Sequence, residues 1–389
     1  MQAKDYFTHI RDFDHKLGIY LTFTLDKEVI NKIRENSSGR TVILHDYRQG
    51  ISLDEAWKNR VLCIPFLSQS LRAETCFHSK LTLLKGKEQA RLLIGSMNLS
   101  KSSFSGLKEV CYSIDLDYSS PLYEAVISYF RKLPVELMKQ HWTTILDELS
   151  IINKNRISDR TSNEPSFISN IDSNTSISNM LLRHVQSLGS KEKPILRIAT
   201  PFLSKNYGGH LKDFLDTLRP KATFFYLRDR TRVTNELIES RESSIRIVRP
   251  KAAKKAFHAK IIMLEYAKQA LVYIGSANFT KQGFFLSHQN LGNVENGVII
   301  SFSDKKEIME WFSKGWEKPV DVTEWNRTAT DSKEVEPPQS YAWGERKANK
   351  HIEIYLFLSN PELIDEAEFE GKRLHCEKID TRLFKSEVI

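Results

Sequence analysis

Residues 77–104, "FHSKLTLLKGKEQARLLIGSMNLSKSSF", place His78 two residues before Lys80 and follow them with Gly95, Ser96 and Asn98. Residues 257–284, "FHAKIIMLEYAKQALVYIGSANFTKQGF", repeat the pattern as His258, Lys260, Gly275, Ser276 and Asn278. Every residue is offset by 180, without a gap, and 12 of 28 positions are identical. On a strand, residues i and i+2 share a face, so each His points with its Lys. Gly permits close backbone approach to a ligand, and Ser and Asn supply uncharged hydrogen-bonding groups. Together these groups suit a phosphoryl group: the Lys neutralises charge while Ser and Asn fix the oxygens. A lone His beside a strand is more often structural than catalytic. Duplication changes that weighting. A repeated fold must keep apolar positions such as Leu84 with Leu264 and Ile94 with Ile274, but has no packing reason to keep His, Lys and Asn together. Two imidazoles facing one phosphate can divide the work between nucleophile and general acid.

HxK followed by GSxN, twice in one chain, resembles the phospholipase D superfamily, and the resemblance spans both halves. The usual Asp five residues after the Lys is absent, since Lys85 and Glu265 stand there. The remaining His-Lys-Asn set is similar to that of tyrosyl-DNA phosphodiesterases and of phospholipase D-like nucleases. The resemblance implies an acidic or amide partner for the far nitrogen of each His. Glu109, downstream of His78, and Glu295, downstream of His258, each open an apparent strand and fill that place. Such a partner fixes the tautomer and raises imidazole basicity. The resemblance also implies one site at the interface of the halves and a phosphohistidine intermediate, with His78 as nucleophile and His258 as acid. No metal or other cofactor is expected, because Lys80 and Lys260 supply the charge a metal would provide. The expected activity is metal-independent phosphodiester hydrolysis, as a nuclease first. A phospholipase or phosphatidyl transferase is the alternative, and a nucleic-acid-binding subunit with a vestigial site is a third reading.

These residues need a scaffold that delivers them twice. Residues 17–35 predict a strand and then a helix, with strands over 40–47 and 60–67 and a hairpin from 78 to 95. Helical periodicity over 121–133 and 135–152 is broken at Pro134. Residues 161–180 hold 12 Ser, Thr or Asn and read as a linker or loop. The order then restarts: strand 193–203, helix 208–218, strand 221–229, helix 233–241, strand 243–250 and the second motif. The expected fold class is α/β, with two pseudo-symmetric mixed-sheet halves flanked by helices, over 1–160 and 181–320. A small β-rich appendage follows over 321–389, with a strand at 351–360 and a hairpin around Glu370 and Gly371.

Length and composition agree: 389 residues, 40% hydrophobic and 27% charged, suit a two-domain globular protein. No apolar run approaches the ~20 residues of a membrane span, and the first residues have no signal-peptide core. A cytoplasmic protein without integral membrane contact is expected. Cys63, Cys76, Cys111 and Cys376 show no paired spacing and read as reduced thiols. Lys and Arg number 57 against 49 Asp and Glu, a net charge of +8 that suits a polyanionic partner. The run "RESSIRIVRPKAAKKAFHAK" leads into the second motif, and Arg246, Arg249, Lys251, Lys254 and Lys255 are candidate nucleic-acid contacts, with DNA ahead of RNA. The appendage leaves room for a homodimer or another protein partner.

Overall fold

The computed structural model describes residues 6–48, 61–66, 75–105, 109–136, 138–150, 164–172, 175–228, 231, 233–234, 236–237, 244–251 and 257–321, with strand segments of the C-terminal region. In the first half, β1 (Leu17–Thr22), β2 (Arg40–Asp46), β3 (Val61–Phe66), β4 (Leu81–Lys85), β5 (Gln89–Gly95) and β6 (Cys111–Asp117) form one sheet in the order β3-β2-β1-β4-β5-β6. β1, β2 and β3 are parallel, and the remaining pairings are antiparallel. The second half contributes β7 (Ser166–Ser169), β8 (Ile195–Thr200), β9 (Ala222–Leu227), β10 (Ser244–Val248), β11 (Ile261–Glu265), β12 (Ala270–Gly275), β13 (Asn296–Phe302) and β14 (Val320–Asp321). Their order is β14-β10-β9-β8-β11-β12-β13-β7, again with three parallel strands, β8, β9 and β10, in an otherwise antiparallel sheet. Two mixed sheets of matching order are what the duplicated motif led one to expect.

Alternation assigns each strand residue to one of two cores. Leu17, Ile19 and Leu21 enter one cluster and Tyr20 another; Ile261 and Met263 part in the same way from Ile262 and Leu264. Helices Tyr6–Arg11 and Lys27–Asn36 cover one face of the first sheet, and Ile177–Ser187 and His210–Leu218 one face of the second. The two remaining faces share a single continuous core, filled out by helices Pro121–Lys132, Lys139–Ser150 and Lys306–Ser313. Ser120 caps the first of these, accepting from the N–H groups of Leu122 and Tyr123, with Pro121 in the first turn where no donor is needed. A common apolar core therefore holds the halves in register.

Two sequence expectations need correction. Residues 161–180 are more than a linker: β7 pairs with β13, and Ser176 caps the helix from Ile177, accepting from Asn179 N–H. Ser176 caps and Asn170 anchors there, uses that composition does not separate from a solvated loop. Second, β4 and β11 begin only at Leu81 and Ile261, so the His-Lys pairs precede their strands. Around His78 the backbone bonds to the other half: His78 N–H donates to Val294 O at 3.0 Å and Val294 N–H to Cys76 O at 2.9 Å. The helix expected at 233–241 falls largely outside the described residues.

The C-terminal region is β-rich, as expected. β15 (Ser340–Arg346), β16 (Ile352–Leu358), β17 (Ala367–Phe369), β18 (Lys372–Leu374), β19 (Glu377–Asp380) and β20 (Leu383–Val388) form an antiparallel sheet, β15-β16-β20-β19, and the hairpin β17-β18.

Candidate active site

Leu21 pairs with Leu81, and Ala199 with Ile261, so each His-Lys segment enters beside the end of a parallel strand. A buried threonine closes each of those strands. Thr22 Oγ1 accepts from Leu99 N–H at 3.0 Å and donates to Thr24 O at 2.7 Å. Thr200 Oγ1 accepts from Phe279 N–H at 3.1 Å and donates to Phe202 O at 3.0 Å. Each hydroxyl ties the loop carrying Asn98 or Asn278 to the strand beside the histidine. Asn98 Oδ1 also lies 3.5 Å from Thr24 N–H. Asn278 Oδ1 is buried without a hydrogen-bond partner among the described residues.

The histidine–carboxylate pairs cross between the halves. His78 Nδ1 lies 2.9 and 3.0 Å from the two oxygens of Glu295, and His258 Nδ1 lies 2.9 Å from Glu109 Oε1. The sequence reading had each glutamate serving the histidine upstream in its own half. The backbone bridge between Phe77 and Val294 explains the exchange, because it brings His78 against the residue after Val294. Both glutamates are buried and held from several sides. Glu109 accepts from Ser96 Oγ at 2.5 Å and from Ser103 Oγ at 3.1 Å. Glu295 accepts from Ser276 Oγ and from Asn293 Nδ2 at 3.3 Å, while its own N–H donates to Asn170 Oδ1 at 2.8 Å.

Ser96, Ser276, Gly95 and Gly275 were expected to hold phosphate, and the structure gives them other work. Both Ser hydroxyls are fully buried, donating to a glutamate and accepting from a backbone N–H, of Val110 or Asn296, at 3.0 Å. The glycines answer to their own neighbours: a Cβ on Gly95 would sit 2.0 Å from Val110 O, and one on Gly275 2.3 Å from Asn296 O. No side chain fits where the adjacent strand's carbonyl crosses so closely.

Lys80 and Lys260 are buried, and their Nζ groups donate to the carbonyls of His78 and His258 at 2.9 and 3.0 Å. Lys260 Nζ also lies 3.0 Å from His258 Nε2. Burial lowers Lys80 to about 8 against the pull of Glu295; burial also holds Lys260 well below its ordinary range, opposed by Glu109 and helped by the Lys80 charge. Burial, and then the Lys260 charge, brings His258 down to about 4; burial, then Lys80, Lys260 and His258, holds His78 well below its usual range. The carboxylates diverge. Burial pushes Glu295 up to about 7, opposed chiefly by Lys80. Burial also works to raise Glu109, but the charge and hydrogen bond of His258, with Lys260, outweigh it and leave this carboxyl below its ordinary value. Four groups that would take up positive charge are thus crowded in a dry site. An entering anion relieves that crowding, and this is the chemistry of phosphate binding.

Sequence reasoning missed Asp46, Arg48, Asn170, Thr22 and Thr200. Asp46, fully buried, accepts from Phe77 N–H at 2.8 Å and from the Arg48 guanidinium at 2.7 and 2.8 Å, so it fixes the segment entering His78. Among the described residues the second half shows no counterpart. Thr22 pairs with His45 and Thr200 with Leu227, and the next residues are Asp46 and Arg228. Aligning the strands ahead of the motifs, "LTFT" with "IATPF", would have exposed the threonines; nothing in its Ser/Asn-rich setting marks Asn170. In the basic run, Arg246 lies within β10 with Asp321 as its register partner on β14. Arg249 and Lys251 follow the end of β10, the edge at which β8 and β9 also end. Lys254 and Lys255 lie outside the described residues.

Comparison with known proteins agrees with this architecture. Residues 221–316 match the family profile described as "Cardiolipin synthase, PLD-like domain". No curated protein matches the sequence. Among solved structures, yeast tyrosyl-DNA phosphodiesterase is similar, with a TM-score of 0.53 at 12% identity over 74% of this chain and 84% of that one. Phosphatidylserine synthase of Haemophilus influenzae Rd KW20 gives 0.52 at 12%, over 83% and 87%. Polyphosphate kinase of Porphyromonas gingivalis gives 0.51 at 10%, over 86% of this chain but 49% of that longer one. Residues 221–316 thus match a phospholipase D-like profile, and the two-half fold is shared with these solved structures.

Proposed function

We propose that this chain is a nuclease that hydrolyses phosphodiesters in two steps without a metal. The observation that carries the reading is the crossed arrangement, in which two imidazoles from two halves are each backed by a buried carboxylate and flanked by a buried lysine. In the first step His78 Nε2 attacks phosphorus, a P–N bond forms, and the P–O bond to the leaving group breaks. The His258 imidazolium gives that oxygen its proton. In the second step His258 takes a proton from water, the hydroxide attacks phosphorus, the P–N bond breaks, and His78 is restored. Lys80, Lys260, Asn98 and Asn278 hold the non-bridging oxygens. The unequal carboxylates support this division. Glu109 stays ionised beside His258 and favours an imidazolium once substrate brings negative charge; Glu295, pushed up to about 7, favours a neutral and nucleophilic His78.

Nucleic acid is favoured as substrate by the net charge of +8 and by Arg249 and Lys251 at the edge where the parallel strands end. One of the similar structures acts, by its name, on tyrosyl-DNA. A lipid substrate is the second reading, supported by the cardiolipin synthase profile and the phosphatidylserine synthase likeness. Among the described residues, no helix is long and apolar enough to cross a membrane. The test is incubation with labelled single-stranded DNA, duplex DNA, RNA and phosphatidyl lipid micelles in excess EDTA. Nucleic-acid cleavage that survives the chelator is expected. Lipid turnover with all three nucleic acids intact overturns the substrate reading, and a strict requirement for added magnesium overturns the mechanism.

A further inference from the structure

Beside the second histidine stands a side chain that the reaction scheme leaves unused. Phe202 is 44% exposed, the one exposed phenylalanine, tyrosine or tryptophan among the described residues. Its ring lies 6.3 Å from that of His258, inclined at 79°. Its backbone is pinned, because the Thr200 hydroxyl that holds the Asn278 loop also donates to Phe202 O. An apolar ring on a held backbone is therefore open to water, next to a group proposed to act on phosphate. The first half differs at this point. The residue whose carbonyl meets the corresponding hydroxyl is Thr24, and the ring near His78 is Phe23, half-buried at 5.5 Å with the Arg48 guanidinium 6.0 Å from it. Among the described residues, only the His258 side presents an open ring.

We propose that Phe202 is a stacking platform for a nucleobase next to the scissile phosphate, on the His258 side. The inference rests on the nuclease reading above and deepens it. A single ring is a surface the size of one flat base, and stacking on it tolerates any base identity. An acyl chain needs a continuous apolar track. Here the neighbours offer none: Leu203 is half-buried against the core, and Lys205 and Asn206 are exposed. The charge of the scissile phosphate falls to Lys260, buried two residues beyond His258. Ring and ammonium together match the alternation of base and phosphate along a single strand.

The test compares a single-stranded oligodeoxynucleotide with an oligomer of the same sugar–phosphate backbone bearing abasic tetrahydrofuran units. The intact protein should prefer the base-bearing strand in kcat/KM by about 5- to 150-fold, the range that one stacked base supplies. In Phe202→Leu that ratio should fall to near one, mainly through KM, while Phe202→Trp should keep it. Circular dichroism checks that both variants are folded, which an exposed position permits. If Phe202→Leu slows both oligomers equally and the ratio stays, or if the intact protein shows no preference, the platform is refuted while the nuclease reading stands. If the intact protein cleaves neither oligomer but turns over phosphatidyl lipid, both readings fall together.

Discussion

The crossed pairs make a sharp prediction about leaving groups. Glu109→Gln keeps the shape of the side chain and removes its charge. Its oxygens accept from His258 Nδ1 at 2.9 Å, Ser103 Oγ at 3.1 Å and Ser96 Oγ at 2.5 Å, so an amide with one acceptor leaves a donor unanswered and no longer favours the imidazolium. A hydrogen bond to a charged group contributes about 1.5–3 kcal/mol, which is about 10- to 150-fold in rate. That loss should appear only where the leaving oxygen needs a proton. With an oligonucleotide, whose leaving group is an alcohol, Glu109→Gln should lose the full factor. With a p-nitrophenyl diester, whose phenolate leaves without protonation, the loss should be under about threefold. Glu295→Gln, which serves the proposed nucleophile, should slow both substrates alike. The assay is steady-state kcat on the two substrates for three proteins. If Glu295→Gln shows the leaving-group dependence and Glu109→Gln does not, the assignment of nucleophile and acid is reversed. If the two variants behave identically, the division of labour is wrong.

Two further outcomes follow from buried groups. His45 and His258 are both brought down to about 4, so between pH 6 and 5 the unfolded chain binds protons that the folded chain does not. Stability should therefore be fully present above the unfolded value of about 6.5 and fall with pH by about 1.4 kcal/mol per unit for each histidine. Urea midpoints that coincide at pH 6 and pH 5 would contradict this. Thr200→Val leaves the buried Phe279 N–H without its acceptor and should cost about 1–3 kcal/mol while loosening the Asn278 loop. A melting temperature and kcat equal to the parent's would show that the hydroxyl does not hold that loop.

The sequence announced the pieces of the site more clearly than their connections. His78, Lys80, Asn98 and their partners 180 residues on stood out because packing has no reason to repeat polar types. The mixed sheets could be read for the same reason, since each repeat sits in a chain of short apolar runs. The crossing of Glu109 and Glu295 could not be read. It depends on a backbone bridge between Phe77 and Val294, residues far apart in sequence with no side-chain signature. Ser96 was misassigned because a hydroxyl beside a catalytic motif looks the same whether it meets ligand or carboxylate; only its complete burial decides. Asn170 was hidden by its company, a polar stretch in which a buried anchor and a solvated loop have the same composition.

The exchange of carboxylates also bears on ancestry. A single half, cut from the rest, holds a histidine whose counter-charge is elsewhere and a glutamate with no imidazole to serve. It cannot be a weaker version of the whole. A one-motif forebear could have built this site only by pairing with its own copy about a twofold axis, each lending its glutamate to the other. Joining two such copies in one chain would have made the partnership permanent and released each from matching its twin. The two halves do differ where such matching would apply: one buries Asp46 behind its histidine, and the other has Arg228 at the corresponding strand end.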